Sequence, residues 1–275
     1  MKKKSIVAAI SALSLIVSMN TGIGSVFAGE QSTVPGTAEQ PFVVTDGLFD
    51  QTKTESDLGL SKIEGAETVT VFTATDDTDH YCNGVVMTEF KGKLYTQWQS
   101  SAQDEDAKDT WVAYSVSDDN GATWSEPKVL VPTIDNGYCS SGGWFVSGDT
   151  LVSYINVWYS DTTPRGGFAY YVESTDGEHW SEMKPVLMKD GTPIIEQDPH
   201  VLASGRIVNA AHFQPGLFAY PIYTDDPSGT KGWVKAQYTC MEQGEGATTS
   251  REMEPSLFVN EDGTIVMTFR DQKSS

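Results

Sequence analysis

Eight residues constrain this chain more than any others: Ser117-Asp118-Asp119-Asn120-Gly121-Ala122-Thr123-Trp124. They fit the pattern S-x-D-x-G-x-T-W at every fixed position. Each fixed residue type has a local reason. The Asp side chain accepts hydrogen bonds from its own turn backbone, the Gly permits a positive φ, and the Trp ring packs a hairpin against its sheet. The segment therefore marks a tight turn between two strands. It performs no chemistry itself, so it restricts the fold and leaves the function open.

The pattern recurs in weaker form. Ser174-Thr175-Asp176-Gly177-Glu178-His179-Trp180 is the same turn with one residue fewer. Thr224-Asp225-Asp226 leading to Gly232-Trp233 is a degraded third copy. Trp124, Trp180 and Trp233 are 56 and 53 residues apart. A second landmark keeps the same period: Gly92, Gly148, Gly205 and Gly263 are spaced 56, 57 and 58 residues, each between two short apolar runs. Every unit reads as strand, Gly turn, strand, loop, strand, Asp turn, strand. That is one four-stranded blade, and a repeat of this length predicts an all-β propeller. The blades span about 67–126, 127–182, 183–235 and an incomplete 236–275. Three and a half blades do not close a ring, and closure is what removes the sheet edges. The stretch therefore reads as part of a longer propeller.

The N-terminus predicts export. Lys2-Lys3-Lys4 is a basic head, Ser5 to Val17 an uncharged apolar core too short for a comfortable membrane span, and Val26-Phe27-Ala28 a cleavage site. Residues 1–28 are thus a signal peptide, 29–66 a polar spacer, and no membrane anchor is expected. Without the three signal lysines, 15 basic residues face 38 acidic ones, a net charge of −23. Bulk charge of that sign excludes nucleic acid and anionic membranes as partners. Cys82, Cys139 and Cys240 are too few for a disulfide scaffold; a bridge between Cys82 and Cys139 on adjacent blades and two free thiols both fit the spacing.

The turn pattern is the Asp-box, and with it the chain resembles the sialidase-like β-propellers, which have six blades. The resemblance implies a glycan-acting enzyme of exo-α-sialidase type, a secreted glycoside hydrolase of acidic sugars. It extends to one site segment. Glu254-Pro255-Ser256-Leu257 is followed by Phe269-Arg270, with Arg270 16 positions after Glu254, as in the sialidase stretch where a Glu precedes an Arg by one hairpin. The resemblance makes Arg270 a grip on the substrate carboxylate and Glu254 the partner of a Tyr nucleophile. A guanidinium fork suits a carboxylate, and a neutral Tyr approaches an anionic sugar with less repulsion than a carboxylate would. The sequence departs from the family where a first Arg belongs: Tyr81-Cys82-Asn83-Gly84-Val85 carries none. Asp104, Asp106 and Asp109 fall where the family has its general acid.

Hairpin geometry supplies further candidates. The start of each first strand and the end of each second strand lie side by side, and these ends converge on the channel mouth. They offer His80, Asn83 and Gln99 from the first blade, Asp198, His200 and His212 from the third, and Arg251, Glu254 and Arg270 from the fourth. The catalytic candidates are Glu254, His80 and His212; the substrate-binding candidates are Arg270, Arg251, Asp198, His200, Asn83 and Gln99. The histidines also resemble those of propeller polysaccharide lyases, in which His takes the C5 proton of a uronate while an Arg neutralises its carboxylate. A lyase of uronate polymers is therefore the alternative, and a non-catalytic glycan-binding propeller a third. The His and Asp spacings match no metal motif, and no cofactor is expected.

Overall fold

The computed structural model describes residues 50, 52–54, 65–75, 77–160, 166–214, 218–237, 252–260 and 263–271. The expected signal peptide, most of the spacer, Arg251 and Cys240 lie outside these residues. The chain divides into units 1–68 and 69–275. In the first, Asp50 caps a local turn by accepting from the backbone and hydroxyl of Thr52.

The second unit is all-β and is a partial propeller. Its first blade is a four-stranded antiparallel sheet of β1 (Tyr81–Phe90), β2 (Lys93–Ser101), β3 (Trp111–Ser117) and β4 (Lys128–Val131). The second repeats it with β5 (Gly137–Ser147), β6 (Thr150–Tyr159), β7 (Gly167–Ser174) and β8 (Lys184–Pro185). The third comprises β9 (His200–Val201), β10 (Ile207–Phe213), β11 (Phe218–Thr224) and β12 (Val234–Lys235). The hairpin β13 (Glu252–Val259) and β14 (Ile265–Asp271) opens a fourth. The repeat glycines turn the first hairpin of every blade, with φ of 78°, 57°, 85° and 83° at Gly92, Gly148, Gly205 and Gly263.

The Asp-box turns have the expected chemistry. Asp119 accepts from the Thr123 backbone at 2.8 Å, the Thr123 hydroxyl at 2.7 Å and the Ser117 hydroxyl at 2.8 Å. Asp176 accepts from the backbones of Glu178 and His179, both at 2.8 Å. In the degraded copy Asp226 accepts from Ser228 instead. The box tryptophans do more than pack their own hairpin. Trp180 meets Tyr114 of the preceding blade at 5.6 Å as well as Trp144 of its own at 5.9 Å. Trp233 is fully buried among Phe145, Tyr154 and Val186 of the blade before it. The second and third boxes therefore each join two blades.

Strand alternation explains why the central runs are apolar without a break. Trp144 faces the first blade, packed with Tyr95 and Val112, while Phe145 faces the third, packed with Ile207 and Trp233. Val208 points onward to Leu257 of the fourth hairpin. Polar bonds across the interfaces repeat at the blade period. Ser141 Oγ donates to Gly84 O, Trp144 Nε1 to Val86 O, and Ser153 Oγ to Gln97 Oε1, over separations of 57, 58 and 56 residues. Among the described residues no disulfide assists. Cys82 is exposed, Cys139 is buried, and both are free thiols; burial pushes the Cys139 thiol up to about 12.

One irregularity recurs in the innermost strands. A β-bulge interrupts β1 between Asn83 and Val86, β5 between Ser141 and Trp144, and β13 between Met253 and Ser256. All three sit opposite the same stretch of the second strand, with one extra residue on the inner strand. The third blade departs further. Ile194 bridges His212 and His200 pairs with Val208, so the inner segment carries two extra residues.

The Asp119 bonds hold its carboxyl down at about 2 from an ordinary 3.8. A depressed carboxyl contributes stability above its unfolded value and loses it as pH falls through the folded value. Asp119→Ala should therefore lower the thermal midpoint near pH 6, and the gap to the parent should narrow as pH drops from 3.8 towards 2. Melting curves across that range check it; a gap of constant size would mean that the ionised carboxylate does not hold the turn.

Candidate functional site

The fourth hairpin places its two charged residues together. Arg270 is the seventh residue after the turn Gly263, and its Nη1 lies 2.9 Å from Glu254 Oε1. Its Nη2 donates to Met253 Sδ at 3.0 Å. Glu254 is the first residue of the bulge, the position that Gly84 holds in the first blade and Gly142 in the second. Its φ is +50°, where Gly84 has +63°. A side chain in that conformation costs on the order of 1–3 kcal/mol. Blade four thus puts a carboxylate in the left-handed conformation that the first blade gives to a glycine.

The third blade adds a buried pair. Asn156 clamps Ile195, accepting from its N–H at 3.0 Å and donating to its carbonyl at 2.7 Å. Ile194 exchanges backbone hydrogen bonds with His212. These locks set Glu196 beside His212, with Oε2 3.2 Å from Nδ1, an ion-pair distance without hydrogen-bond alignment. The His212 side chain is 1% exposed and that of Glu196 is 30% exposed, so the carboxylate is the accessible member. The imidazole lies 6.2 Å from the Trp158 ring, which stacks on Tyr138 at 6.3 Å.

These groups line one cavity of about 470 Å³ to which all four blades contribute. Asn83, Gln99, Glu105 and Asp106 come from the first, Tyr138 and Trp158 from the second, Glu196 and His212 from the third, and Met253, Glu254 and Arg270 from the fourth. Gln99 Nε2 donates to Glu105 O at 2.6 Å, and Tyr81 and Asn83 donate to its carboxylate at 3.3 and 3.4 Å, so the loop after β2 is tied to the rim. Burial raises the Glu254 carboxyl above its usual value. Arg270 opposes that rise, Glu196 adds to it, His212 opposes it and Glu105 adds to it. The site thus holds several carboxylates, a guanidinium, a buried imidazole and an aromatic wall. Such a set can grip a sugar and exchange protons with it.

The sequence candidates divide accordingly. Asn83, Gln99, His212, Glu254 and Arg270 reach the cavity. His80 does not line it and is exposed just before β1. His200 is an inter-blade strut, its Nε2 3.0 Å from Leu257 O. Asp198 is another: it accepts from the Trp144 backbone at 2.6 Å, and burial lifts its carboxyl to about 6. Both fall within the widened inner segment of the third blade, which shifts them away from the mouth and brings Glu196 there instead. Asp106 lines the cavity, whereas Asp104 and Asp109 hold turn backbone. Glu105 and Glu196 were missed. Tyr138 and Trp158, which stand ten residues either side of Gly148, are two of the loop aromatics that the sequence offers for stacking on a sugar ring. Among the described residues, no group of three or more His, Cys, Asp or Glu is arranged to hold a metal ion.

Solved structures share this architecture. A protein of unknown function from Dyadobacter fermentans superposes with a TM-score of 0.57 at 13% identity, over 73% of this chain and 64% of that one. The intramolecular trans-sialidase of Ruminococcus gnavus gives 0.54 at 13% identity, over 74% and 68% of the two chains. The NanB sialidase of Streptococcus pneumoniae gives 0.53 at 14% identity, over 74% and 50%. The chain thus spans 64% of the length of the first relative and half that of the last, and identities this low establish a common fold. No curated protein matches the chain. Residues 92–275, more than half of the sequence, match the BNR repeat-like domain, and with its Asp-box blades the chain belongs to that family.

Proposed function

We propose that the chain is a glycan-acting enzyme, exported by its N-terminal segment, and a glycoside hydrolase of sialidase type on sugars that carry a carboxylate. The observation that carries this reading is Glu254, a carboxylate held in a left-handed bulge conformation that the first blade gives to Gly84, and paired with Arg270 at the cavity wall. Backbone strain at a cavity wall points to a side chain that the site uses. Arg270 supplies the planar fork for the sugar carboxylate, and Asn83 stands at the rim where sialidases carry a further Arg. Glu254, with its raised proton affinity, moves a proton at the reacting centre. Tyr138 and Trp158 offer a face on which a sugar ring stacks.

A uronate lyase is the second reading, favoured by one observation: His212 lines the cavity beside this pair, and its Nε2 has no hydrogen-bond partner among the described residues. Two assays on the protein separate the readings. A fluorogenic sialoside releases its dye with a hydrolase, and a uronate polymer gains an ultraviolet-absorbing unsaturated end with a lyase. Failure of both, with glycan binding retained, leaves a binding propeller and removes the enzyme.

Two variants follow. Arg270→Lys keeps the charge and loses the fork, so kcat/KM on a carboxylated substrate should fall roughly 10²-fold. Its side chain is 48% exposed, so folding stability should change by about 0–1 kcal/mol. An unchanged rate would remove Arg270 from the site. Glu254→Gly should abolish cleavage of an unactivated glycan yet leave the melting temperature equal or higher, because glycine relieves the bulge conformation. A clear loss of stability would show Glu254 to be a structural residue.

A further inference from the structure

Glu196 is a residue of this cavity that no sequence pattern indicated. Three independent contacts fix it. Asn156 holds the backbone of Ile195 from both sides, the Ile194–His212 bridge locks the segment to β10, and the buried imidazole backs the carboxylate at 3.2 Å. A side chain 1% exposed, with no hydrogen-bond partner for either ring nitrogen among the described residues, is an unusual neighbour for a structural carboxylate. Nothing in the packing of the third blade calls for it, since the neighbouring apolar residues Ile194 and Ile195 fill the core by themselves. Glu196 and Glu254, from adjacent blades, line the same cavity, and Glu196 adds to the rise of the Glu254 carboxyl.

We propose that Glu196 is a catalytic carboxylate, the base that activates water opposite Glu254, and that His212 is its positioning residue. This rests on the glycoside hydrolase part of the reading above and departs from the sialidase route, in which Glu254 would support a Tyr nucleophile. In the step, Glu196 takes a proton from a water molecule as the water oxygen bonds to the anomeric carbon. The bond from that carbon to the leaving oxygen breaks with its electron pair, and the leaving oxygen receives the proton of Glu254. One water is consumed per linkage. Glu196 ends protonated and Glu254 ionised, and exchange with solvent restores both. Paired carboxylates with these two duties are the general device of glycosidic cleavage. The groups that face the pair are the Glu254 carboxyl and Arg270 guanidinium from the fourth hairpin and Glu105 from the loop after β2.

The test compares an activated aryl glycoside with an unactivated glycan. Glu196→Gln should lose kcat by about 10²–10⁴-fold on both, since water activation is needed whatever the leaving group. Glu254→Gln should keep most of its rate on the aryl substrate, whose leaving group needs no acid. His212→Ala should lower kcat at little change in KM, and His212→Asn, which restores a nitrogen near the Nδ1 position, should recover part of the loss. If the parent protein cleaves nothing, the hydrolase reading and this proposal both fall. If the parent is active and Glu196→Gln keeps its rate, or loses it only on the unactivated glycan, the hydrolase reading stands and the proposed base is overturned.

Discussion

The structure depends on how one blade's inner strand meets the next. Each inner strand is interrupted opposite the same stretch of its partner, by one extra residue in three blades and two in the third. A bulge sharpens the local twist and frees backbone groups from the ladder. Those groups are what neighbouring blades use. Gly84 O receives Ser141, Gly143 O receives Gln97, and the Trp144 N–H is given to Asp198. The fit is close: a Cβ on Gly143 would stand 2.1 Å from Gln197 O. The same interruption that couples the blades also turns the following side chains towards the central cavity. Coupling and site are therefore one structural device.

Apolar packing follows that frame. Because adjacent residues of a strand point to opposite faces, each inner blade must be apolar on both, and the large aromatics are shared out between interfaces. Trp144, Tyr95 and Trp180 serve one interface, and Phe145, Tyr154 and Trp233 the next. Tyr154 also donates to Gly229 O within the degraded Asp-box turn, so that turn keeps its inter-blade duty after losing its consensus. With burial on both sides of every central sheet, the blades need no disulfide between the cysteines described, and the Cys139 thiol is one more apolar group in the core.

The blade repeat was legible in the sequence because it is written twice, in turn glycines and in box tryptophans, and both are dictated by local backbone chemistry. The site was legible where a blade keeps the common register: Asn83, Gln99, His212, Glu254 and Arg270 reach the cavity at the expected offsets. It failed where register changes. Two extra residues in the third inner segment carried Asp198 and His200 into inter-blade struts and put Glu196 at the mouth. An insertion of that kind leaves no mark on apolar periodicity, since the segment pairs irregularly. The strand register alone shows that Gly84, Gly142 and Glu254 share one bulge position, because they stand 8, 6 and 9 residues before their turn glycines.

Charge decides what this cavity can accept. Glu105, Asp106, Glu196 and Glu254 line it, while Arg270 is the permanent cation among the described lining residues. Such a wall repels an anionic sugar unless its carboxylate lands on Arg270, and Glu254 already occupies that guanidinium at 2.9 Å. A sugar carboxylate and an ionised Glu254 would compete for one partner in a partly dry site, which is unfavourable for both. Protonation of Glu254 removes the conflict, and burial already moves the group in that direction. On this account, binding an acidic sugar and loading Glu254 with the proton needed for the leaving oxygen are a single event. A neutral sugar would leave the Glu254–Arg270 pair closed and the proton absent. Preference for an acidic substrate would then arise from the state of the acid as much as from attraction to Arg270.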